Sequence, residues 1–406
     1  MKNNIKICLI KEGKRPIDRR VPLTPEQAAI INEKYTNVTV YFQPSDIRCF
    51  SDDEYINAGI MPMEDPSQAD ILLGVKEVPK EWLIEGKTYL FFSHTIKMQE
   101  YNRELLQKII EKDITLIDYE VLTNPQGARV VAFGRWAGIV GAYNGILTYG
   151  KRYHLFELKR AKDCFDLKEL KNEYDKVNLP PIKIALTGGG RVAKGAMEVL
   201  NGIGIRKVSP EQFIEENYDH AVYTQLSSMD YYKKKGDGLF NKTEFHNHPE
   251  RYYSTFLDFT KHADLLIAGA YWDPSQPVLF KQEDMLDRSF KIKVIADITC
   301  DIEGSIPSTI RPSTIDSPFY DYNQSEGMEE TPFSDEANVT VMAVDNLPCE
   351  LPRDASEDFG RQLTDNVIGA LTKNDIDNLV IKNATITKGG KLTSRFSYLQ
   401  HFADGK

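Results

Sequence analysis

The chain has 406 residues, with 50 Lys+Arg against 60 Asp+Glu, a formal charge of −10, and 41% apolar residues. That length and composition favour two large domains or three small ones and exclude a disordered chain. The acidic balance argues against a nucleic-acid or anionic-membrane surface. No apolar run reaches the roughly 18 residues of a membrane span.

The opening MKNNIKICLI reads as a strand and lacks a small-residue cleavage site, so no signal peptide is expected. The five cysteines, Cys8, Cys49, Cys164, Cys300 and Cys349, are odd in number and widely spaced. Reduced thiols in a cytoplasmic protein are the simplest reading. Short β-rich runs at 5–10, 38–42, 69–75, 88–93 and 115–119 alternate with helical stretches, including 24–34 and 99–112. Thr24-Pro25-Glu26 supplies a capping hydroxyl followed by proline at the first helical position. Such alternation predicts a mostly parallel sheet with helices on both faces. Residues 135–153 form a glycine-rich helix expected to pack between domains, and Pro180-Pro181 marks a boundary. Strands then resume at 182–187, 205–208, 264–268, 293–298 and 339–344, interrupted by an aromatic and charged segment near 215–260. A helix over 355–371 follows the last strand, and its position in chain order allows a return to the first domain.

The segment Gly188-Gly189-Gly190-Arg191-Val192-Ala193 follows a strand and opens a helix, in the pattern G-x-G-x-x-A. Gly188 would make the tight turn, Gly190 would admit a pyrophosphate to the backbone, and Ala193 would permit close helix packing. A purely structural turn is the alternative. The acid expected to hold ribose hydroxyls should follow the second strand, near 208–210, where the chain reads Val208-Ser209-Pro210 beside Arg206 and Lys207. NAD and NADP both remain open, with a slight lean towards NADP being tolerated. Asp297 and Asp345-Asn346 also end strands, either as ligand contacts or as turn formers and caps.

Four strand ends in the first domain carry ionisable groups: Lys11-Glu12, Lys76-Glu77, His94 and Glu120. Together they suggest a site for a multiply charged small molecule, and Arg19, Arg20 and Arg129 are candidate carboxylate clamps. His94 suits proton transfer near neutrality, unless it is a buried or capping histidine. Lys76 is either a base with a lowered pKa or an electrostatic anchor. His246-Asn247-His248 lacks a third ligand, there is no HExxH, and no metal site is expected. A P-loop and a GxSxG elbow are absent too.

At this point the residues carry a resemblance that runs almost end to end. The stretches are Lys11-Glu12 with Arg20-Val21-Pro22-Leu23-Thr24-Pro25, Val75-Lys76-Glu77-Val78-Pro79, Phe92-Ser93-His94-Thr95-Ile96-Lys97 and Asp118-Tyr119-Glu120. The run GARVVAFG ending at Gly134, the turn from Gly188 to Gly195 and His248-Pro249-Glu250-Arg251-Tyr252 continue it. Asp297 within IADITCD and Asp345-Asn346-Leu347-Pro348 complete it. The chain resembles the saccharopine dehydrogenase and lysine–ketoglutarate reductase branch of the alanine dehydrogenase and transhydrogenase alpha-subunit superfamily.

That resemblance implies two Rossmann-like α/β domains with parallel sheets flanking a cleft. Residues 1–140 plus about 353–406 would form the substrate domain. Residues of about 141–352, with the insertion near 215–260, would hold the dinucleotide. Lys76 and His94 match the family's acid/base pair, Glu77 and Glu120 tune or anchor them, and Arg20 and Arg129, with Lys11 nearby, match the substrate side. Gly188, Gly190, Arg191, Val192, Ala193, Asp297, Asp345 and Asn346 fall on the cofactor side. The implied activity is NAD(P)-dependent interconversion of saccharopine with L-lysine and 2-oxoglutarate. An alanine or other small amino-acid dehydrogenase and a catalytically silent dinucleotide-binding protein are the alternatives. The expected partner is a small amino-acid substrate, with no nucleic acid and no membrane; the sequence leaves the oligomeric state open.

Overall fold

The computed structural model describes residues 4–372 and 378–405. The chain divides into two compact units, Met1–Phe133 with Pro352–Lys406, and Gly134–Leu351. The first unit takes β1 (Ile5–Leu9), β2 (Val38–Phe42), β3 (Met61–Pro62), β4 (Ile71–Leu73), β5 (Thr88–Phe91) and β6 (Thr115–Asp118). The second takes β7 (Lys183–Thr187), β8 (Arg206–Val208), β9 (Val222–Leu226), β10 (Tyr232–Lys234), β11 (Tyr252–Ser254), β12 (Leu265–Ala268) and β13 (Val294–Asp297). It continues with β14 (Phe319–Asn323), β15 (Met328–Glu330) and β16 (Val339–Met342). The chain then returns to the first unit with β17 (Thr385–Lys388) and β18 (Lys391–Leu392).

In the first unit the strand order is β18-β17-β6-β5-β4-β1-β2-β3, parallel throughout β1 to β6 and antiparallel at β17 and β18. Its central strands are apolar runs because both faces are covered: Ile7, Leu72, Leu73 and Leu90 are fully buried. Helix Pro25–Lys34 starts where a capping box forms between Thr24 and Gln27, with proline in its first turn. Helix Arg103–Glu111 covers the sheet with Leu105, Leu106 and Ile109. Helix Pro352–Leu363 returns here, burying Phe359 and Leu363 in the same core as Ile7, Leu9 and Tyr119. Ser356 accepts the Val21 N–H at 2.9 Å, pinning the returning helix to the N-terminal segment. β1 and β4 are the pair at which the winding of the sheet reverses, and ligands of open α/β sheets sit beyond the carboxyl ends of such a pair.

The second sheet runs β15-β14-β16-β13-β12-β7-β9-β8 and is parallel apart from β14 and β15. The strand beside β7 is therefore β9, which lies inside the segment read as an interruption of the pattern; β8 is the edge strand. The rest of that segment forms the β10–β11 hairpin, where Tyr232, Phe245 and Tyr252 pack together. The glycine-rich helix, Gly134–Arg152, belongs wholly to this unit and crosses helix Arg191–Gly202 with backbone nearly touching backbone. A Cβ on Gly138 would lie 1.9 Å from Val192 O, and one on Gly195 would lie 2.0 Å from Arg135 O. Only glycine fits at either point of this crossing.

All five cysteines are free thiols. Among the described residues no helix is long and apolar enough to cross a membrane, and no group of three or more His, Cys, Asp and Glu is placed to hold a metal.

Candidate functional site

The carboxyl ends of β1, β4, β5 and β6 lie along one edge of the first sheet, and each continues into one of the ionisable segments. Past β4, Lys76 is half-buried. Loss of water, followed by the nearby Arg20 charge, lowers its ammonium pKa below the usual lysine value. Past β5, His94 adopts left-handed backbone with φ 55°. Its Nδ1 lies 2.5 Å from Glu77 Oε1. With Nδ1 committed to Glu77, Nε2 is the nitrogen left for proton exchange. Lys14 Nζ sits 2.6 Å from the second Glu77 oxygen. Burial works to raise the Glu77 carboxyl, but the His94 and Lys14 contacts outweigh it and hold the group at about 2. A permanent carboxylate thus orients the imidazole.

Past β6, Glu120 Oε1 accepts from Arg129 Nη2 at 2.9 Å, and Lys97 Nζ approaches to 3.9 Å. Glu120 Oε2 and the Tyr119 hydroxyl are buried without a hydrogen-bond partner, an arrangement that suits an incoming polar ligand. Arg20, expected as a carboxylate clamp, is buried and donates to Asp18 through Nε at 3.0 Å and Nη2 at 2.6 Å. Its guanidinium also stacks 4.1 Å from the Phe133 ring. Arg129 is likewise engaged by a carboxylate of the chain. Lys11 places its ammonium 5.1 Å above the Trp82 ring.

Spacing did not single out Lys14, Asp18, Lys97 or Asp118, which contact the expected residues from neighbouring turns. Asp118 is the last residue of β6. Burial pushes its carboxyl up to about 6, although the Ser93 hydroxyl and the Glu120 amide draw it down. Glu12 is half-buried, and loss of water around its carboxyl, then Asp18, pushes it up to about 8 against two backbone N–H bonds.

In the second unit, Gly188 ends β7 in left-handed backbone with φ +106°, and a Cβ there would meet Gly269 O at 2.8 Å. Gly190 is the N-cap of helix Arg191–Gly202, has no side chain to cap its first amides, and has open space around its Cβ position. Ala193 is fully buried. A tight turn, an open backbone and an uncapped helix start are what a pyrophosphate needs, so these residues fit a dinucleotide. Arg191 is exposed and Val192 half-buried at the same helix start.

Because β9 rather than β8 neighbours β7, the strand end beside the glycine turn is Leu226-Ser227-Ser228 rather than residues 208–210. Gln225 donates to Gly188 O at 3.0 Å and accepts from Lys207 Nζ at 2.7 Å, which holds a cation beside the turn. The acid nearby, Asp230, accepts through Oδ2 from the Ser227 amide and hydroxyl at 2.6 and 2.7 Å.

Asp297 is buried, and both its oxygens are taken up by its own loop. Oδ1 accepts from the Thr299 amide at 3.0 Å and hydroxyl at 2.7 Å, and Oδ2 accepts from Thr309 at 2.7 Å. Asp345 is exposed beyond β16, and Asn346 caps the short turn Leu347–Glu350, its carbonyl accepting the Cys349 N–H at 3.0 Å.

Residues 8–140 match the N-terminal domain of alanine dehydrogenase/PNT, and residues 175–395 match its C-terminal domain. Mitochondrial alpha-aminoadipic semialdehyde synthase of Rattus norvegicus is 31% identical over 98% of this chain and 48% of that protein. This chain thus spans about half the length of such relatives. Saccharopine dehydrogenase [NAD(+), L-lysine-forming] of Yarrowia lipolytica is 25% identical over 90% of this chain and 92% of that protein. Among solved structures, an L-alanine dehydrogenase superposes with a TM-score of 0.62 at 16% identity, covering 98% of this chain and 99% of that one. A transhydrogenase from Sinorhizobium meliloti gives 0.61 at 16% identity, over 96% and 100%. Both likenesses concern the fold alone.

Proposed function

The chain belongs to the alanine dehydrogenase/PNT family, and from that premise we propose that it is an NAD(P)-dependent oxidoreductase interconverting saccharopine with L-lysine and 2-oxoglutarate. One observation carries the reading: adjacent strands β4 and β5 end in a desolvated amine, Lys76, and in an imidazole oriented by Glu77, His94. Saccharopine has three carboxylates, and Lys11 and Lys97 lie as cations around the same strand ends, while Lys14, Arg20 and Arg129 are already engaged by Glu77, Asp18 and Glu120. Its secondary amine is the group that needs a base, because a protonated amine has no lone pair with which to expel hydride.

In the oxidative direction Lys76, neutral, removes the proton from the secondary amine at Nζ. His94, through Nε2, then activates water for attack on the substrate imine and protonates the departing lysine nitrogen. Glu77 keeps the imidazole in one tautomer and steadies its charged form, and the reductive direction runs these transfers in reverse. A nicotinamide held at the Gly188–Ala193 turn would supply or accept the hydride. Ser227-Ser228 in place of a carboxylate, with Lys207 alongside, favours acceptance of a 2′-phosphate, so NADP is the proposed cofactor.

The test is a reductive assay of paired 2-oxo acids and amines with NADH and NADPH. The expected result is dinucleotide oxidation with lysine plus 2-oxoglutarate, faster with NADPH. Turnover of pyruvate plus ammonia instead would identify a small amino-acid dehydrogenase. Binding of dinucleotide without turnover of any pair would identify a silent binding protein.

A further inference from the structure

Two carboxyl groups of the first unit, half-buried Glu12 and buried Asp118, stand beside the acid/base pair without belonging to it. The ladder between β1 and β4 ends at Leu9 and Leu73, with one further bond from Ile10 N–H to Leu73 O at 2.9 Å. Beyond that point Gly74 N–H still donates to Leu90 O of β5 at 3.0 Å, but the amides of Val75 and Lys76 turn to a side chain. The Glu12 side chain takes over: Oε1 accepts the Val75 N–H at 2.6 Å, and Oε2 accepts the Lys76 N–H at 3.0 Å. The same device recurs at the next pair of strands. The β5–β6 ladder ends at Phe91 and Asp118. Asp118 Oδ2 then accepts the Ser93 N–H at 3.0 Å and the Ser93 hydroxyl, while Oδ1 accepts the Glu120 N–H at 2.7 Å.

A carboxylate suits this task because both oxygens accept and neither donates, so one group can hold two amides; in Glu12 these two N–H donors favour the ionised form against the burial that raises it. Three functional side chains hang from the segments so gripped: Lys76 from the Glu12 clamp, and His94 and Glu120 from the Asp118 clamp. His94 needs such support most, since its backbone is left-handed with φ 55°, a conformation that persists only where surroundings impose it. Its carbonyl is held on the other side by the Lys97 N–H at 3.0 Å.

We propose that Glu12 and Asp118 are positioning residues that extend the sheet ladder by side chain and so fix where Lys76, His94 and Glu120 stand. The inference rests on the acid/base reading of Lys76 and His94 and deepens it. Neither carboxyl touches the reacting atoms; each acts through the backbone of its neighbour.

The decisive variants are Glu12→Gln and Asp118→Asn, in which an amide NH2 replaces one acceptor and faces a backbone N–H. Displacing a catalytic group by about 1 Å costs up to roughly 100-fold in rate. Single-turnover hydride transfer should therefore fall roughly 10- to 100-fold in each variant, with dinucleotide affinity within about twofold of wild type. In Glu12→Gln a displaced Lys76 amine stands differently to Arg20, Asp18, Lys14 and Glu77, the charges that act on it, so the acid limb of the pH–rate profile should shift. Glu12→Asp, which keeps both acceptors but shortens their reach, should fall between wild type and Glu12→Gln.

A lowered melting temperature with wild-type hydride rate and pH profile would overturn the proposal, reducing both residues to structural support. Should the variants fail to fold, amide hydrogen exchange in the wild-type chain decides. Protection of Val75, Lys76 and Ser93 at the level of the strands agrees, and exchange at the rate of open loops overturns. Lys76→Met and His94→Gln separate the two levels. If these abolish hydride transfer while Glu12→Gln and Asp118→Asn do not, only the clamp inference fails. If they leave it intact, the underlying reading fails.

Discussion

Gly190→Ala separates a dinucleotide turn from a structural one, because the two roles predict opposite effects. Gly190 has φ −86° and ψ −162°, a conformation open to alanine, and an added Cβ would meet nothing within 4 Å. In the unliganded protein the substitution should therefore stabilise by about 0.4–1 kcal/mol through the unfolded chain, raising the melting temperature by roughly 1–4 °C. A pyrophosphate approaching the first amides of helix Arg191–Gly202 would meet that methyl group. Loss of one charge-assisted N–H bond is worth about 1.5–3 kcal/mol, or roughly 10- to 100-fold in affinity. Calorimetric melting without ligand, paired with fluorescence titration of NADPH, measures both. Affinity within about twofold of wild type in a folded variant would refute the placement of the dinucleotide. A fall in melting temperature would refute the claim that the space is open.

Gly138→Ala should act the other way, because its Cβ would lie 1.9 Å from Val192 O. Forcing the helices apart should cost about 3 kcal/mol, lowering the melting temperature by roughly 6–12 °C. Unchanged melting would contradict the close crossing. Glu77→Gln removes the carboxylate between His94 and Lys14. Its folded pKa is depressed from 4.5 to about 2, so its stabilisation is complete above about pH 4.5 and fades as pH falls towards 2. Urea titrations should show a deficit of about 3 kcal/mol at most near pH 6, converging with wild type near pH 2; a deficit independent of pH would contradict the assignment. Ser227→Asp places a carboxylate at the end of β9 and should weaken NADPH roughly 10- to 100-fold while sparing NADH. Equal effects on both cofactors would move the ribose position elsewhere.

The sheet edge of the first unit was legible because its strands are short apolar runs that end abruptly in charge, and strand ends on one edge of a parallel sheet share a face of the fold. The ribose position was not. It depends on which strand neighbours β7, and β9 is buried along most of its length, with Thr224 and Gln225 in place of an apolar run. Meanwhile Arg206 and Lys207 in β8 are exposed, as befits an edge strand. The winding of the chain through β8 before β9 leaves no local signature. The antiparallel β17 and β18 escaped for a similar reason, being short and polar within a glycine-containing tail. Side-chain partners were beyond reach where they depend on folding. Arg20 is matched by Asp18 and Asp297 by Thr309, and neither spacing distinguishes a pair from a coincidence.

The most direct measurement follows a label in a single turnover. Reduced dinucleotide deuterated at the transferable C4 position is mixed with lysine, 2-oxoglutarate and excess protein, and the product is read by mass spectrometry. The account predicts saccharopine carrying one deuterium on the glutaryl α-carbon, and none when His94→Gln, which should fail to form the imine, replaces the wild-type chain. Bound dinucleotide that keeps its deuterium in the presence of both substrates would contradict it.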